Sequence, residues 1–328
     1  MNKLKNFINK IKKINKFQLF FIFIFVLLSI LIGILYIENS NKKLNENNYI
    51  KPNKTFKVVT ALSKVEKVLI DCKNYLSKYN IELQVQLLSN LFPETIDLVE
   101  NKQFDAVISC HTPWLLENQK QQNKWNNIIP IQPFYVAKFG IYKHRNDNNF
   151  DLESINNESK VLIPDDITNK HFALLYLKKF NLVKLKDKNN SQSMFYDLED
   201  LEPDSKLKKE NFDCQTFIQI PNSFRSQKYK LAVNYPSFMD SENDRISDNN
   251  NNNNDEFLLQ EKEFNIFSIT LMSRKDNKDS EEIKYLKESL QQDKIIEYFN
   301  NNCPGTQIMI KKDDIDKIMK NIEDIMKT

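Results

Sequence analysis

From residue 56 to residue 299, strand-like and helix-like segments alternate almost without a break, and this rhythm restricts the fold more than any other feature. FKVVTA (56–61), IELQVQLL (81–88) and FDAVIS (104–109) read as strands. Between them Lys64–Tyr79 and Pro93–Asn101 read as helices, the first with Val65, Val68, Leu69, Cys72 and Leu76 on one face. WLLENQKQQ continues as a helix, IIPIQPFYVAKFGIYK (128–143) is strand-rich, and KVLIP (160–164) ends a strand that feeds a helix over Asp166–Phe180. Further strands are CQTFIQI (214–220), KLAVN (230–234) and FNIFSITLM (264–272). The last strong helix is Ser280–Phe299, with Ile283, Leu286, Leu290, Ile296 and Phe299 at helical spacing.

Such alternation predicts an α/β fold, a parallel or mixed sheet with helices on both faces. About 275 residues of it exceed one comfortable core, so two α/β lobes are expected. Chain crossings near Tyr135–Gly140 and Phe238–Phe264 would assign residues 55–138 and 239–328 to lobe 1 and 139–238 to lobe 2. Within lobe 1, residues 241–262 carry six consecutive asparagines among acids and are expected to be a disordered loop. In sheets of this kind, ligands bind beyond the carboxyl ends of the strands.

The chain before the lobes has a different character. Residues 1–16 hold six lysines and no acid, and read as a cytoplasmic basic segment. Residues 17–37, FQLFFIFIFVLLSILIGILYI, carry no charge. At about 1.5 Å per residue this run spans roughly 31 Å as a helix, the thickness of a bilayer core. The lysines before it predict a cytoplasmic N-terminus and an extracytoplasmic body. A cleaved signal peptide would have an apolar core of about 7–15 residues ending in small residues. This run is longer and ends ILYIENSN, which favours an uncleaved single-pass signal anchor. No cysteine follows it until Cys72, so a lipid-modified cysteine is not expected there. Residues 38–54 are polar and read as a flexible tether.

Composition removes several classes of function. The three glycines are scattered singly, which excludes Gly-rich phosphate loops and hence dinucleotide-binding and P-loop chemistry. Three histidines and four cysteines include no CxxC pair and no HExxH, so neither a metal site nor a cofactor is expected. The lysine-rich leader supplies +6 of a net charge of +3, leaving the body mildly acidic and unlike a nucleic-acid binder. No nucleophile–base or carboxylate pair stands out, and the expectation is a binding protein rather than an enzyme.

Two strand exits carry the most distinctive chemistry. One is Ser109-Cys110-His111-Thr112-Pro113-Trp114-Leu115, and the other is Pro164-Asp165-Asp166-Ile167-Thr168-Asn169. Here the chain resembles the methionine-binding (NlpA-type) lipoproteins, the substrate-binding components of ABC importers. That family reads Phe-Gln-His-x-Pro-Tyr-Leu at the first exit and Pro-Asn-Asp-Pro-Thr-Asn at the second. LVKLKD (182–187), LAVN (231–234) and SRKDNKDSEEIK (273–284) also match its pattern, in order, so the likeness spans roughly residues 56–310. It implies a two-lobed, Venus-flytrap protein that closes on a small amino acid and delivers it to an ABC permease in the same membrane.

The resemblance also implies site residues. Trp114 stands where the family has a pocket tyrosine, His111 matches a cleft histidine, and Asn169 and Asn234 match cleft asparagines whose amides can serve an ammonium and a carboxylate. Tyr135 sits at the first predicted crossing as a candidate wall. The position implied to carry a carboxylate-clamping arginine is Phe172, which donates no hydrogen bond. The family's pocket phenylalanine is Ser109. These departures predict weak methionine binding unless amides near Ile167–Asn169 take the carboxylate. They leave open a second reading, a surface protein that kept the fold, lost amino-acid binding and acts through protein contacts.

Overall fold

The computed structural model describes residues 28–34, 54–145, 147, 150–188, 195–239, 246, 257–303 and 306–327. The chain divides into a leading unit, Met1–Asn53, and a body, Lys54–Thr328. In the leading unit residues 28–34 are helical, with Leu28, Ile30, Leu31, Ile32 and Ile34 exposed. The rest of the expected span (17–27 and 35–37), the basic segment and residues 38–53 lie outside the described residues. Among those described, no helix is long and apolar enough to cross a membrane.

The body begins with β1 (Lys54–Thr60), α1 (Ser63–Leu76), β2 (Ile81–Leu87), α2 (Phe92–Glu100), β3 (Ala106–His111), α3 (Thr112–Gln122) and β4 (Ile128–Ala137). A second group follows: β5 (Gly140–Tyr142), β6 (Val161–Pro164), α4 (Ile167–Lys179), β7 (Phe212–Gln215), α5 (Ile220–Phe224) and β8 (Leu231–Asn234). The chain ends with α6 (Phe257–Gln260), α7 (Lys262–Asn265), β9 (Ser268–Arg274), α8 (Glu281–Leu290), α9 (Asp293–Asn302), β10 (Gln307–Met309) and α10 (Lys312–Met326). With glycine so scarce, Asn80, Asn90, Asn123 and Asn181 take left-handed turn positions, which asparagine tolerates better than most residues.

Two mixed sheets result. The first runs β10-β4-β9-β3-β1-β2, with β1 parallel to β2 and β3, and β9 antiparallel to β3 and β4. The second runs β5-β8-β6-β7, with β6 parallel to β7 and β8. Strand alternation sends side chains to both faces. Phe56, Val58 and Ile108 pack under α1, α8 and α9, while Val59, Val107 and Met272 pack with Ile96, Leu115 and Trp125. In the second sheet Val161, Ile163 and Val233 meet α4, and Leu162 and Ala232 meet α5.

Three expectations need correction. The predicted strand 214–220 ends at Gln215, and Ile220 opens α5 instead. The expected helix over Ser280–Phe299 is two helices broken at Gln291–Gln292. The buried stripe Ile283–Leu286–Leu290 would continue near residues 293–294 and 297, yet the buried apolar residues are Ile295 and Phe299. A break rephases them onto the same core. The loop expected over 241–262 gives way to helix at Phe257, because Leu258 is fully buried beside α4; residues 240–245 and 247–256 lie outside the described residues.

Residues from 257 onward contribute to the packing of both sheets. β9 and β10 join the first sheet, but Leu258, Phe264, Phe267, Ile318 and Ile322 pack against α4 of the second. Helix α4 is apolar around most of its circumference, from Phe172 to Leu177, so it needs cover on the side away from its sheet. The isoleucine stripe of α10 supplies part of that cover.

Candidate functional site

A cavity of about 600 Å³ opens where the carboxyl ends of both sheets' strands meet. Its lining follows from strand topology. Ala61 comes directly after β1, Asp165 after β6, Thr216 after β7 and Tyr235 after β8, while Ser109, Cys110 and His111 end β3. Ser109 ties this floor together: its Oγ accepts the Ala61 amide at 2.9 Å and the Thr95 hydroxyl at 3.1 Å. Ser109 thus pins the end of β1 and helix α2 to β3.

His111, Trp114, Tyr135 and Asn169 all line the cavity. His111 caps α3, its Nδ1 accepting the Trp114 amide at 3.2 Å, which leaves the proton of the neutral ring on Nε2. Its ring meets Phe267 edge-on with centroids 4.9 Å apart. Burial lowers its pKa to about 4, with Asp166 and Asn169 pulling the other way. Trp114 presents to the cavity and stacks on Trp125 at 5.4 Å, so it is both wall and packing. Tyr135 packs on Phe134 and Phe299, and burial pushes its hydroxyl well above the usual tyrosine range.

Asn169 is already engaged. Its Nδ2 donates to Asp166 Oδ2 at 2.9 Å, and its Oδ1 accepts the Tyr235 hydroxyl at 2.6 Å. Asp166 caps α4 by accepting the Asn169 amide at 3.0 Å, so that amide is not available to a ligand.

The other two candidates do not reach the cavity. Phe172 is fully buried one turn deeper along α4, its ring stacked on Phe267 at 4.6 Å and tilted against Phe139 at 5.1 Å. An apolar ring at that position gains more from the core than from the cleft. Asn234 is also fully buried; its Nδ2 donates to the Phe217 carbonyl and its Oδ1 accepts the Tyr235 amide, both at 2.9 Å. It positions two aromatic walls rather than forming one.

Several lining residues lie outside the motifs: Lys64, Phe92, Phe217, Tyr235 and Phe238, while Asp165 lies within one but is not among the expected site residues. Phe217 and Tyr235 follow the ends of β7 and β8, so the strand-end rule contains the signal that would have found them. Phe92 from α2 and Phe217 approach edge-on at 6.0 Å, joining the two sheets' loops across the cavity, and Phe238 flanks Phe217 at 4.8 Å. Among the described residues no group of histidine, cysteine and acidic side chains is arranged to hold a metal.

A family model matches residues 56–310, nearly the whole body, and its description is NlpA lipoprotein. The chain belongs to the NlpA lipoprotein family. It is accordingly a binding protein and not an enzyme. A relative from Haemophilus influenzae, named a probable D-methionine-binding lipoprotein MetQ, is 26% identical over 219 residues, covering 66% of this chain and 73% of that protein. The crystal structure of a YaeC-family lipoprotein from Enterococcus faecalis shares the fold with a TM-score of 0.64 at 22% identity, covering 78% of this chain and 99% of that one. A periplasmic substrate-binding protein of an ABC transporter from Coxiella burnetii gives 0.59 at 18% identity, covering 78% and 100%. Of the six expected site residues, four line the cavity and two, Phe172 and Asn234, do not.

The buried histidines give the NlpA body a pH dependence. His171, like His111, is desolvated, and its pKa falls to about 3. Unfolded histidines take a proton near pH 6.5, whereas these rings resist until about 4 and 3. Their contribution is therefore complete above pH 6.5 and declines as the pH falls through the window from 6.5 toward those values. Urea midpoints measured between pH 7 and 4.5 should drop steadily. The variant His111→Asn, which keeps a capping acceptor, should show a shallower drop; an unchanged slope would remove His111 as a source.

Proposed function

We propose that this chain is a membrane-tethered, extracytoplasmic solute-binding protein of an ABC importer, taking methionine or a related small molecule between two lobes. The observation that carries the reading is the cavity itself, of about 600 Å³, placed where two α/β sheets present their carboxyl ends. Phe92, Trp114, Tyr135, Phe217 and Tyr235 give it aromatic walls from both sides. A thioether gains about 0.3–1.5 kcal/mol from each such ring contact. Hinged lobes of this kind close around their ligand and expose a changed face to a partner, here an ABC permease in the same membrane.

The tether would be the apolar run 17–37 behind its six lysines. Relatives of this family are named lipoproteins, but Cys72 is buried in α1 and offers no site for a lipid. Mass spectrometry of the chain isolated from membranes should recover peptides preceding Phe17 in the same species as the body. A mature N-terminus near Glu38 would overturn the anchor.

Binding itself is tested by thermal shift of the full chain against L-methionine, D-methionine and the other amino acids. A ligand at about a hundred times its dissociation constant adds about 2.7 kcal/mol of stability, a clear rise in melting temperature. No rise with any of them would leave a protein that kept the fold without amino-acid binding.

A further inference from the structure

Charge is divided between the cavity's walls. Lys64, in the first turn of α1, lines the side built by the first sheet, and Lys138 lines it from the segment joining β4 to β5. Asp165 and Asp166, between β6 and α4, line the side built by the second. Asp166 is occupied: its carboxylate accepts from Thr168, the Asn169 amide and the Asn169 side chain. Asp165 is not. Its carboxylate makes no hydrogen bond or ion pair among the described residues, and it stands open to the cleft. Lys64 likewise lacks a carboxylate; its Nζ reaches the Thr306 hydroxyl at 3.4 Å and the Cys303 thiol.

A ligand carboxylate would be repelled by the paired aspartates at the start of α4, where the Asn169 amide is already bonded and Phe172 is turned into the core. An ammonium would be attracted there and repelled by Lys64. We propose that the cleft holds a zwitterion crosswise, its ammonium on Asp165 and its carboxylate on Lys64, so that the ligand's own charge pair bridges the two lobes. This rests on the amino-acid-binding reading above and names the groups that would carry it.

Calorimetry of the full chain tests the proposal with three probes: L-methionine, its methyl ester, which lacks the carboxylate, and N-acetyl-L-methionine, which lacks the ammonium. Charge-assisted hydrogen bonds predict that Asp165→Asn and Lys64→Met each weaken L-methionine by about tenfold or more. Lys64→Met should leave the methyl ester's affinity unchanged, and Asp165→Asn should leave the N-acetyl compound's unchanged. Both side chains have few protein partners, so ligand-free melting temperatures should match the wild type. If the wild type binds L-methionine and both variants bind it equally well, or the two derivative patterns are exchanged, the proposal fails while the amino-acid reading stands. If the wild type binds none of the three, this proposal falls, and the amino-acid reading falls with it only if no amino acid raises the melting temperature.

Discussion

Replacing Phe172 with alanine should cost about 3–5 kcal/mol of stability, the range for emptying a buried aromatic site. The ring is fully buried and packs on Phe139, from the segment between β4 and β5, and on Phe264 and Phe267, from the segment leading into β9. Its loss would leave a void between α4 and the segment 257–267 that rigid neighbours cannot refill. Denaturant titration should show the midpoint falling with little change in slope, and the melting temperature dropping by on the order of ten degrees. Affinity for any cleft ligand, measured well below that melting point, should change far less. Lost affinity with unchanged stability would mean that Phe172 faces the ligand after all.

Asn234→Leu is expected to damage both stability and binding. The substitution keeps the volume but leaves the Phe217 carbonyl and the Tyr235 amide without the partners they have at 2.9 Å. Each orphan costs about 1–3 kcal/mol, so the total is about 2–6 kcal/mol. Phe217 and Tyr235 both line the cavity, and releasing them should weaken ligand binding by about tenfold or more. Asn234→Asp separates the two contacts, since a carboxylate still accepts the Tyr235 amide and no longer donates to Phe217. Because that carboxylate is buried and its second oxygen faces the Phe217 carbonyl, this variant should be at least as destabilised as the leucine variant near neutral pH. A leucine variant as stable as the wild type would show that the loop carries these walls by itself.

Local pattern made most of the body legible. The buried face of α1, from Val65 to Leu76, and the alternation of β2 stand as periodicity predicts. Helix α10 was also readable, from Ile315, Ile318, Ile322 and Ile325, although the expected last helix stops at Phe299. What pattern does not encode is which distant segment covers which face. The apolar circumference of α4 announces that something must lie on its outer side, but not that α7 and α10 do. The same limit governs the site. His111, Trp114, Tyr135 and Asn169 were found because motif or crossing placed them at strand ends. Phe172 follows the motif by three residues and lies one turn too deep, and Asn234 ends its strand with its amide turned to the backbone. Side-chain depth along a helix depends on what packs over it, which spacing alone does not contain.

The central claim is that a small amino acid binds in the cavity between the two sheets, and one substitution tests it directly. Ser237 lines that cavity, is exposed, and lies outside the buried core. Ser237→Trp should therefore fill the space without disturbing the fold. Titration of the amino acid that raises the melting temperature most into the full-length wild type is predicted to show one site per chain. The tryptophan variant, with the same melting temperature, is predicted to show none. Equal binding by both proteins would place the ligand elsewhere and contradict the account.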